Sequence, residues 1–570
     1  MGILSVADCI RRNAADPDLR ERPFLRLDEA LLTHAEYAAE VARFAALLLE
    51  RRDPTRPFHL GILLENIPEY LVALGACAVA GATAVGINNT QRGAALRRDI
   101  THSDCQFLLT EPGYAEILGP VRGAIEIAAE RAWVVRAHAG ENAGDAEELG
   151  ADFAETLAGM GGASLEPVVI DPDEPYILVF TSGTTGAPKG VQISQTRMLS
   201  TGRKIGDMLE VDSASCGYLA MPLFHANSQQ CGFMPALLKG ASLGMIRRFS
   251  RSRWLADVRR YGVTYFNYTG KPLSFILTTP QQAADADNPL RIAYGNEGSA
   301  RILAEFSERF GCRIIDGFGA TEGGFGFSRT PTDPAASVGR PPPEVKILTP
   351  EGVEKPRGIL DEQGRVTNAD EAIGEIVNTG GVGKFEGYYK NPVATAERVR
   401  DGMYWSGDFG FKDATGFLYF TGRDISWIRV DGENFLARPI EDALQNHPDV
   451  YLCAVYAVPD AEAGDRVMAT VVLAEDARFD PVAFVKFLEA QPDISPKWFP
   501  TFVRIASDIP QTATNKILKR ELRAQGFARA RVADPIFARG RGDVAYLPFD
   551  AAAEATLVAR FEATGRSHLL

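Results

Sequence analysis

Between residues 58 and 110, short apolar runs alternate with longer Ala-rich stretches: HLGILLEN, PEYLVALGACAVAG, TAVGI and, further on, CQFLLT. The short runs suit buried strands and the longer stretches suit helices, so the texture predicts βαβ units. Residues 70–89 carry no charge, which raises the question of a membrane span. That stretch is rich in Ala and Gly, has little Leu, Ile or Phe, and is broken by Gly81, so it predicts a buried helix, a turn and a short strand instead. An apolar run over 176–180 predicts a further buried strand. Residues 137–167, rich in Gly, Ala and Glu, predict a surface excursion, and prolines punctuate 331–343. A second α/β run starts near Glu441, with helices predicted over 440–447 and 481–491 and strands over 451–458 and 467–474. No internal repeat is present. The expected class is α/β with a boundary near 422–430. This divides the chain into a large N-terminal part (1–422), a small C-terminal part (423–541) and a tail (542–570).

Composition narrows the function classes. The 570 residues are 46% hydrophobic and 24% charged, which argues against disorder, a collagen-like rod or a disulfide scaffold. The net charge of −14 gives no electrostatic footprint for duplex nucleic acid. A small anion in a locally basic pocket is still compatible with it. The seven cysteines are scattered without CxxC spacing, and the seven histidines without HExxH spacing. Free thiols in a reducing compartment and no structural metal are the expectation. The N-terminal residues meet Asp8, Arg11 and Arg12 before any signal-peptide core, and the expected location is cytoplasmic. Nothing in the sequence fixes an oligomeric state.

The most informative string is YILVFTSGTTGAPKG, residues 176–190. An apolar strand runs into a loop where Thr181, Ser182, Thr184 and Thr185 offer hydroxyls. Gly183, Gly186 and Gly190 let backbone N–H groups approach a ligand, and Lys189 adds a positive charge. Those groups suit an oligophosphate, which needs many donors converging without bulk. The spacing is not that of a Walker A loop.

This string resembles the signature loop of the adenylate-forming superfamily, which includes acyl-CoA synthetases, peptide-synthetase adenylation domains and luciferases. Further motifs follow in the family's order. DGFGATEG (316–323) is similar to its second core motif, and YWSGD (404–408) to its ribose-binding motif. Gly422 and Arg423 open the interdomain segment, and NKILKREL (515–522) resembles its C-terminal lysine motif. The resemblance implies a large multi-subdomain N-terminal lobe and a small, mobile α+β C-terminal domain. It also implies a reaction that joins a carboxylate to ATP as an acyl-adenylate and then passes the acyl group to a thiol.

Residue roles follow from the same resemblance. Lys516 is the expected adenylation lysine, preceded by Asn515 where the family usually has Gly. Glu322 is the expected Mg²⁺ ligand, with Thr321 donating to a phosphate. Asp316 and Gly317 belong to the ATP site, and Phe318 stands where the family commonly stacks a tyrosine on adenine. Gly295, Asn296 and Glu297 flank adenine from the other side, and Asp408 and Arg423 hold the ribose. His225 and Tyr294 line the acyl pocket, and Gly432 and Glu433 serve the acyl or CoA side. No Asp or Glu occurs between Met221 and Leu238, which speaks against an amino-acid substrate.

Looser strings, among them NNTQRGAAL (88–96) and FLYF (417–420), resemble the fatty acid transport protein and very-long-chain acyl-CoA synthetase branch. The function implied is an ATP-, Mg²⁺- and CoA-dependent ligase for a fatty or bulky lipid acid, with possible peripheral membrane contact. Three alternatives stand beside it: a carrier protein as acceptor, a sterol or bile side-chain acid as substrate, and a non-catalytic lipid- or nucleotide-binding uptake factor.

Overall fold

The computed structural model describes residues 5–138, 146–160, 165, 171–181, 189–269, 272–296, 300–330, 332–334, 336–362, 366–422, 427–430, 433–462, 465–491, 494, 496–511, 517–540, 542–564 and 566–570. The chain forms two compact units. One comprises Met1–Pro331 and Gly380–Tyr404, the other Thr332–Thr379 and Trp405–Leu570. The expected α/β class is what both units are built from.

The first unit contains two sheets. In the seven-stranded sheet the strands His59–Leu63, Thr83–Gly86, Phe107–Thr110 and Pro175–Thr181 run parallel, and Lys189–Ser194 closes one edge antiparallel to Pro175–Thr181. The charge-free stretch folds as expected. Helix Pro68–Ala80 is buried at every residue but Glu69, ends on Gly81 at φ 73°, and leads into strand Thr83–Gly86. A left-handed turn at that point needs glycine. No helix among the described residues is long and apolar enough to cross a membrane.

The expected surface excursion is only partly one. Within it, Ala151–Asp152 adds an edge strand and Phe153–Ala158 forms a helix. This segment is held because Phe153 packs edge-on against Phe44 at 4.8 Å.

The eight-stranded sheet of the first unit carries most of the chemistry. Its order runs Gly326–Arg329, Arg313–Gly319, Ile292–Asn296, Tyr265–Thr269, Cys216–Leu219, Ser242–Met245, Pro23–Leu27 and Ala30–Thr33. The inner pairs are parallel and only the two edge strands are antiparallel. Trp254, Phe266, Phe306 and Phe310 form an aromatic core on one face.

The second unit contains a small sheet with strands Val345–Leu348, Gly374–Asn378, Met403–Lys412 and Leu418–Gly422. Its larger sheet runs Val450–Pro459, Asp465–Leu473, Phe502–Ile505, Ile536–Ala538 and Leu547–Pro548. Helices Ala437–Leu444 and Pro481–Glu489 form where the pattern predicts helices. Two apolar clusters draw on the strands of the larger sheet. One contains Ile440, Leu444, Phe484 and Tyr546, and the other Leu452, Met468, Phe502 and Phe561.

Candidate active site

In an open parallel sheet, ligands gather at the carboxyl ends of the strands. At that end of the eight-stranded sheet, Ile292–Asn296 and Arg313–Gly319 lie side by side, with Gly295 opposite Asp316 and Asn296 opposite Gly317. The Asn296 amide donates to the Gly317 carbonyl at 2.8 Å. Gly295 leaves no room for a side chain, and Gly317 leaves little. A Cβ on Gly295 would stand 2.4 Å from the Tyr268 carbonyl, and one on Gly317 would stand 2.9 Å from the Tyr294 hydroxyl. Asp316 is buried, accepting a hydrogen bond from Tyr268 OH at 3.0 Å and pairing with Arg329 at 3.4 Å. That carboxylate therefore braces the strand end. The half-buried Phe318 ring lies 6.1 Å from Phe325, nearly parallel, and 5.5 Å from Phe327.

Beyond this strand the chain turns through Thr321 and Glu322. Glu322 is buried, and its Oε1 accepts a hydrogen bond from Tyr388 OH at 2.9 Å. Burial pushes the Tyr388 phenol well above its usual range, helped by the Glu322 charge, so it stays a donor. Arg197 donates to the Thr321 carbonyl, and Arg398 lies beside Tyr388 and Glu322. Thr181 pairs with Lys189 across the hairpin. The Lys189 ammonium sits 5.3 Å above the Tyr388 ring and 3.4 Å from the Glu397 carboxylate. This part of the first unit thus gathers two carboxylates, a lysine, two arginines and a phenol.

The donor set suits Mg²⁺, a hard cation that is commonly held by one or two carboxylates together with substrate phosphates. Glu322 offers such a carboxylate. Among the described residues no group of three or more His, Cys, Asp or Glu could hold a metal by itself.

The His225 ring, expected at the acyl pocket, lies tilted against Phe224 with ring centroids 4.2 Å apart. Burial lowers its pKa to about 4, so the imidazole is neutral at physiological pH. Tyr294 is half-buried, and desolvation pushes its phenol up. In the second unit Asp408 is buried. Its backbone N–H donates to Ser406 Oγ at 3.0 Å, and Ser406 Oγ in turn donates to the Ile376 carbonyl at 2.6 Å. The Gly407 N–H donates to Glu375 at 2.7 Å, which fixes the strand before Asp408.

Ser182, Gly183, Thr184, Thr185, Gly186, Glu297, Arg423, Gly432 and Lys516 lie outside the described residues, as does the side chain of Glu433. Sequence reasoning missed Arg197, Tyr388 and Arg398. The one available signal was a charged residue on the buried side of helix Gln195–Met208, where Arg197 is flanked by buried Gln195, Met198 and Leu199.

Comparison with known proteins converges on one family. Residues 11–389 match the family described as AMP-binding enzyme, and residues 439–516 match the AMP-binding enzyme C-terminal domain. The chain is 42% identical over 500 residues to a medium/long-chain-fatty-acid–CoA ligase, FadD17, of Mycobacterium marinum, covering 88% of this chain and 92% of the relative. It is also 42% identical over 543 residues to a steroid-22-oyl-CoA synthetase of Rhodococcus jostii, covering 93% and 92%. Among solved structures, the anthranilate CoA ligase AuaEII in complex with anthranoyl-AMP superposes with a TM-score of 0.77 at 21% identity, covering 91% of this chain and 96% of that one. At that identity the likeness concerns the fold. The chain belongs to the AMP-binding enzyme family and is an AMP-forming acid–thiol ligase.

Proposed function

We propose that the chain activates a hydrophobic carboxylic acid and joins it to CoA, consuming ATP and releasing pyrophosphate and AMP. The observation that carries this reading is the 42% identity, across most of both chains, to two ligases named for a fatty acid and a steroid-22-oyl acid. The absence of Asp and Glu between Met221 and Leu238 supports an uncharged acid body.

The chemistry has two steps. A carboxylate oxygen attacks the α-phosphorus of ATP and pyrophosphate leaves. The CoA sulfur then attacks the acyl carbon and AMP leaves. Both reactants of the first step are anionic, so positioning and charge stabilisation dominate.

The roles assigned to the residues follow. Lys516 brings its ammonium to the forming bond. Lys189, Thr181 and the hydroxyls and glycines of 182–186 receive the phosphates. Thr321 donates to a phosphate, and Glu322 holds Mg²⁺, which when bound offsets phosphate charge. Phe318 stacks on adenine, with Gly295, Asn296 and Glu297 beside it, and Asp408 and Arg423 take the ribose. His225 and Tyr294 line the acyl pocket, while Gly432 and Glu433 serve the acyl or CoA side. ATP and CoA as substrates fit a cytoplasmic location, with peripheral membrane contact where the acid partitions into lipid.

The test is pyrophosphate release over a panel of acids, from short to very long chains plus sterol and bile acids, with and without CoA and with products identified by mass spectrometry. An acyl-CoA from one size class is expected. Lys516→Ala should lower the adenylation rate on the order of 10²–10³-fold. Adenylate that accumulates without transfer to CoA would instead favour a carrier-protein acceptor.

A further inference from the structure

Glu322 can serve a metal only if its loop is held in place, and a buried cation lies against that loop. Arg197 stands in the first turn of helix Gln195–Met208, directly after strand Lys189–Ser194. It is only 4% exposed. A guanidinium at that depth must direct its donors to protein acceptors. Nη2 donates to the Thr321 carbonyl, and Nη1 donates to the Gln192 carbonyl at 3.3 Å. Nε has no hydrogen-bond partner among the described residues.

The loop is shaped around this side chain. Gly323 sits at φ +74°, and a Cβ on it would stand 2.7 Å from Nη2. From the other side the Lys384 N–H donates to the Gly323 carbonyl at 2.9 Å. The Glu386 carboxylate accepts from Ser194 N–H and Oγ–H, each at 2.6 Å. Ser194 Oγ in turn accepts from the Arg197 N–H at 3.1 Å, so the same residues cap the helix that carries the guanidinium. The Glu386 and Glu322 charges both favour the cation against its desolvation.

We propose that Arg197 is a positioning residue for Glu322, tying the helix that follows the Thr181–Lys189 hairpin to the Thr321–Gly323 loop so that the Glu322 carboxylate is presented to the Mg²⁺ of bound ATP. The inference rests on the role given to Glu322 above. It goes beyond that role by naming the group that sets the carboxylate's place. Lysine at this position keeps the charge and one carbonyl contact but cannot bridge both carbonyls with a planar fork. Methionine keeps the packing alone.

The test uses the full-length protein with Arg197→Lys and Arg197→Met. Calorimetry measures the affinity for AMP without metal, and for ATP with Mg²⁺ and with chelator, alongside thermal midpoints. Groups that orient a metal ligand typically change metal affinity about 10–100-fold when removed. Arg197→Met should therefore lose about tenfold or more of the affinity that Mg²⁺ adds to ATP binding, with AMP affinity within about twofold of wild type. Arg197→Lys should fall between them, and the Mg²⁺ concentration for half-maximal pyrophosphate release should rise in the same order. Equal losses for AMP and for ATP with Mg²⁺, or an unchanged Mg²⁺ dependence, would overturn the proposal. Should Arg197→Met not fold, Gly323→Ala presses a methyl on Nη2 and is read in the same way. Glu322→Gln is the control: if it leaves the Mg²⁺ contribution intact, the metal role of Glu322 fails and the positioning role falls with it.

Discussion

At the scale of single residues, the motif glycines have unequal jobs. Gly324 lies against the ring of Tyr404, and an added Cβ would fall 1.9 Å from Tyr404 Cδ1. That ring is fully buried and lies 6.1 Å from Phe325 and 5.4 Å from Phe385, so it has nowhere to retreat. Gly324→Ala should therefore cost about 1–3 kcal/mol in stability, the usual range for overpacking, and should reduce pyrophosphate release by displacing the neighbouring Thr321–Glu322 turn. Gly326→Ala is the matched comparison, because its nearest atom would be 3.9 Å away. Thermal melts and the release assay on both variants check this, and equal behaviour would refute it. The string DGFGATEG (316–323) was legible in the sequence through its resemblance to a family motif. Arg197 and Tyr388 were not, since a lone buried charge or phenol has neither period nor spacing. Only the fold brings residues 124 and 66 positions distant in the chain to the Thr321–Glu322 turn.

Among the elements, helix Pro68–Ala80 was the most legible, because a run without charge and broken by glycine can be buried on all sides. Its packing against helix His34–Arg51 goes further than any pattern reveals. Tyr37 OH donates to the Leu71 carbonyl at 2.9 Å, and Tyr176 OH donates to that of Leu74 at 2.8 Å. Gly75 faces Val41 and Tyr37 so closely that a Cβ would meet them at 2.5 and 2.8 Å. Gly75→Ala should thus destabilise by about 1–3 kcal/mol through overpacking, despite alanine's better helix propensity of about 1 kcal/mol. Denaturant unfolding decides which effect wins, and a stabilised variant would show that the two helices separate freely. The strand Pro175–Thr181, the helices Ala437–Leu444 and Pro481–Glu489 and the strands Val450–Pro459 and Asp465–Leu473 were also legible from their apolar runs, whereas the short strands and the helices after residue 500 were not. The edge strand Ala151–Asp152 was not, because two residues carry no periodicity and tertiary packing of Phe153 holds them. The hydroxyl and glycine loop was read for phosphate chemistry from its residue types alone, and residues 182–188 lie outside the described ones. The bracing of Asp316 by Tyr268 and Arg329 became visible only once strands distant in sequence were paired.

For the molecule as a whole, buried histidines set how stability responds to acid. Burial lowers the pKa of His34 and His225 to about 4 and also depresses His59 and His447. Each binds its proton more readily in the unfolded chain, so stability is full above the unfolded value near 6.5 and is lost as pH falls toward the folded value. Asp99 opposes this. Burial raises its pKa to about 6, so its destabilising contribution disappears as pH falls through that range. Burial raises the Asp257 carboxyl in the same sense. Four depressed histidines still outnumber these two carboxyls, so stability should decline between pH 6.5 and 4. His34 is the cleanest probe. It is 2% exposed, stacks on Phe24 at 4.6 Å and has been given no part in binding or chemistry. Its shift corresponds to a contribution on the order of 3 kcal/mol across that window. His34→Gln should be less stable than wild type at pH 7.5 through lost packing, yet its stability should fall less steeply from pH 6.5 to 4.5. Urea unfolding at four pH values across that range measures both slopes. Parallel slopes would mean that the imidazole is already solvated in the folded chain, and that the acid response comes from the carboxylates instead.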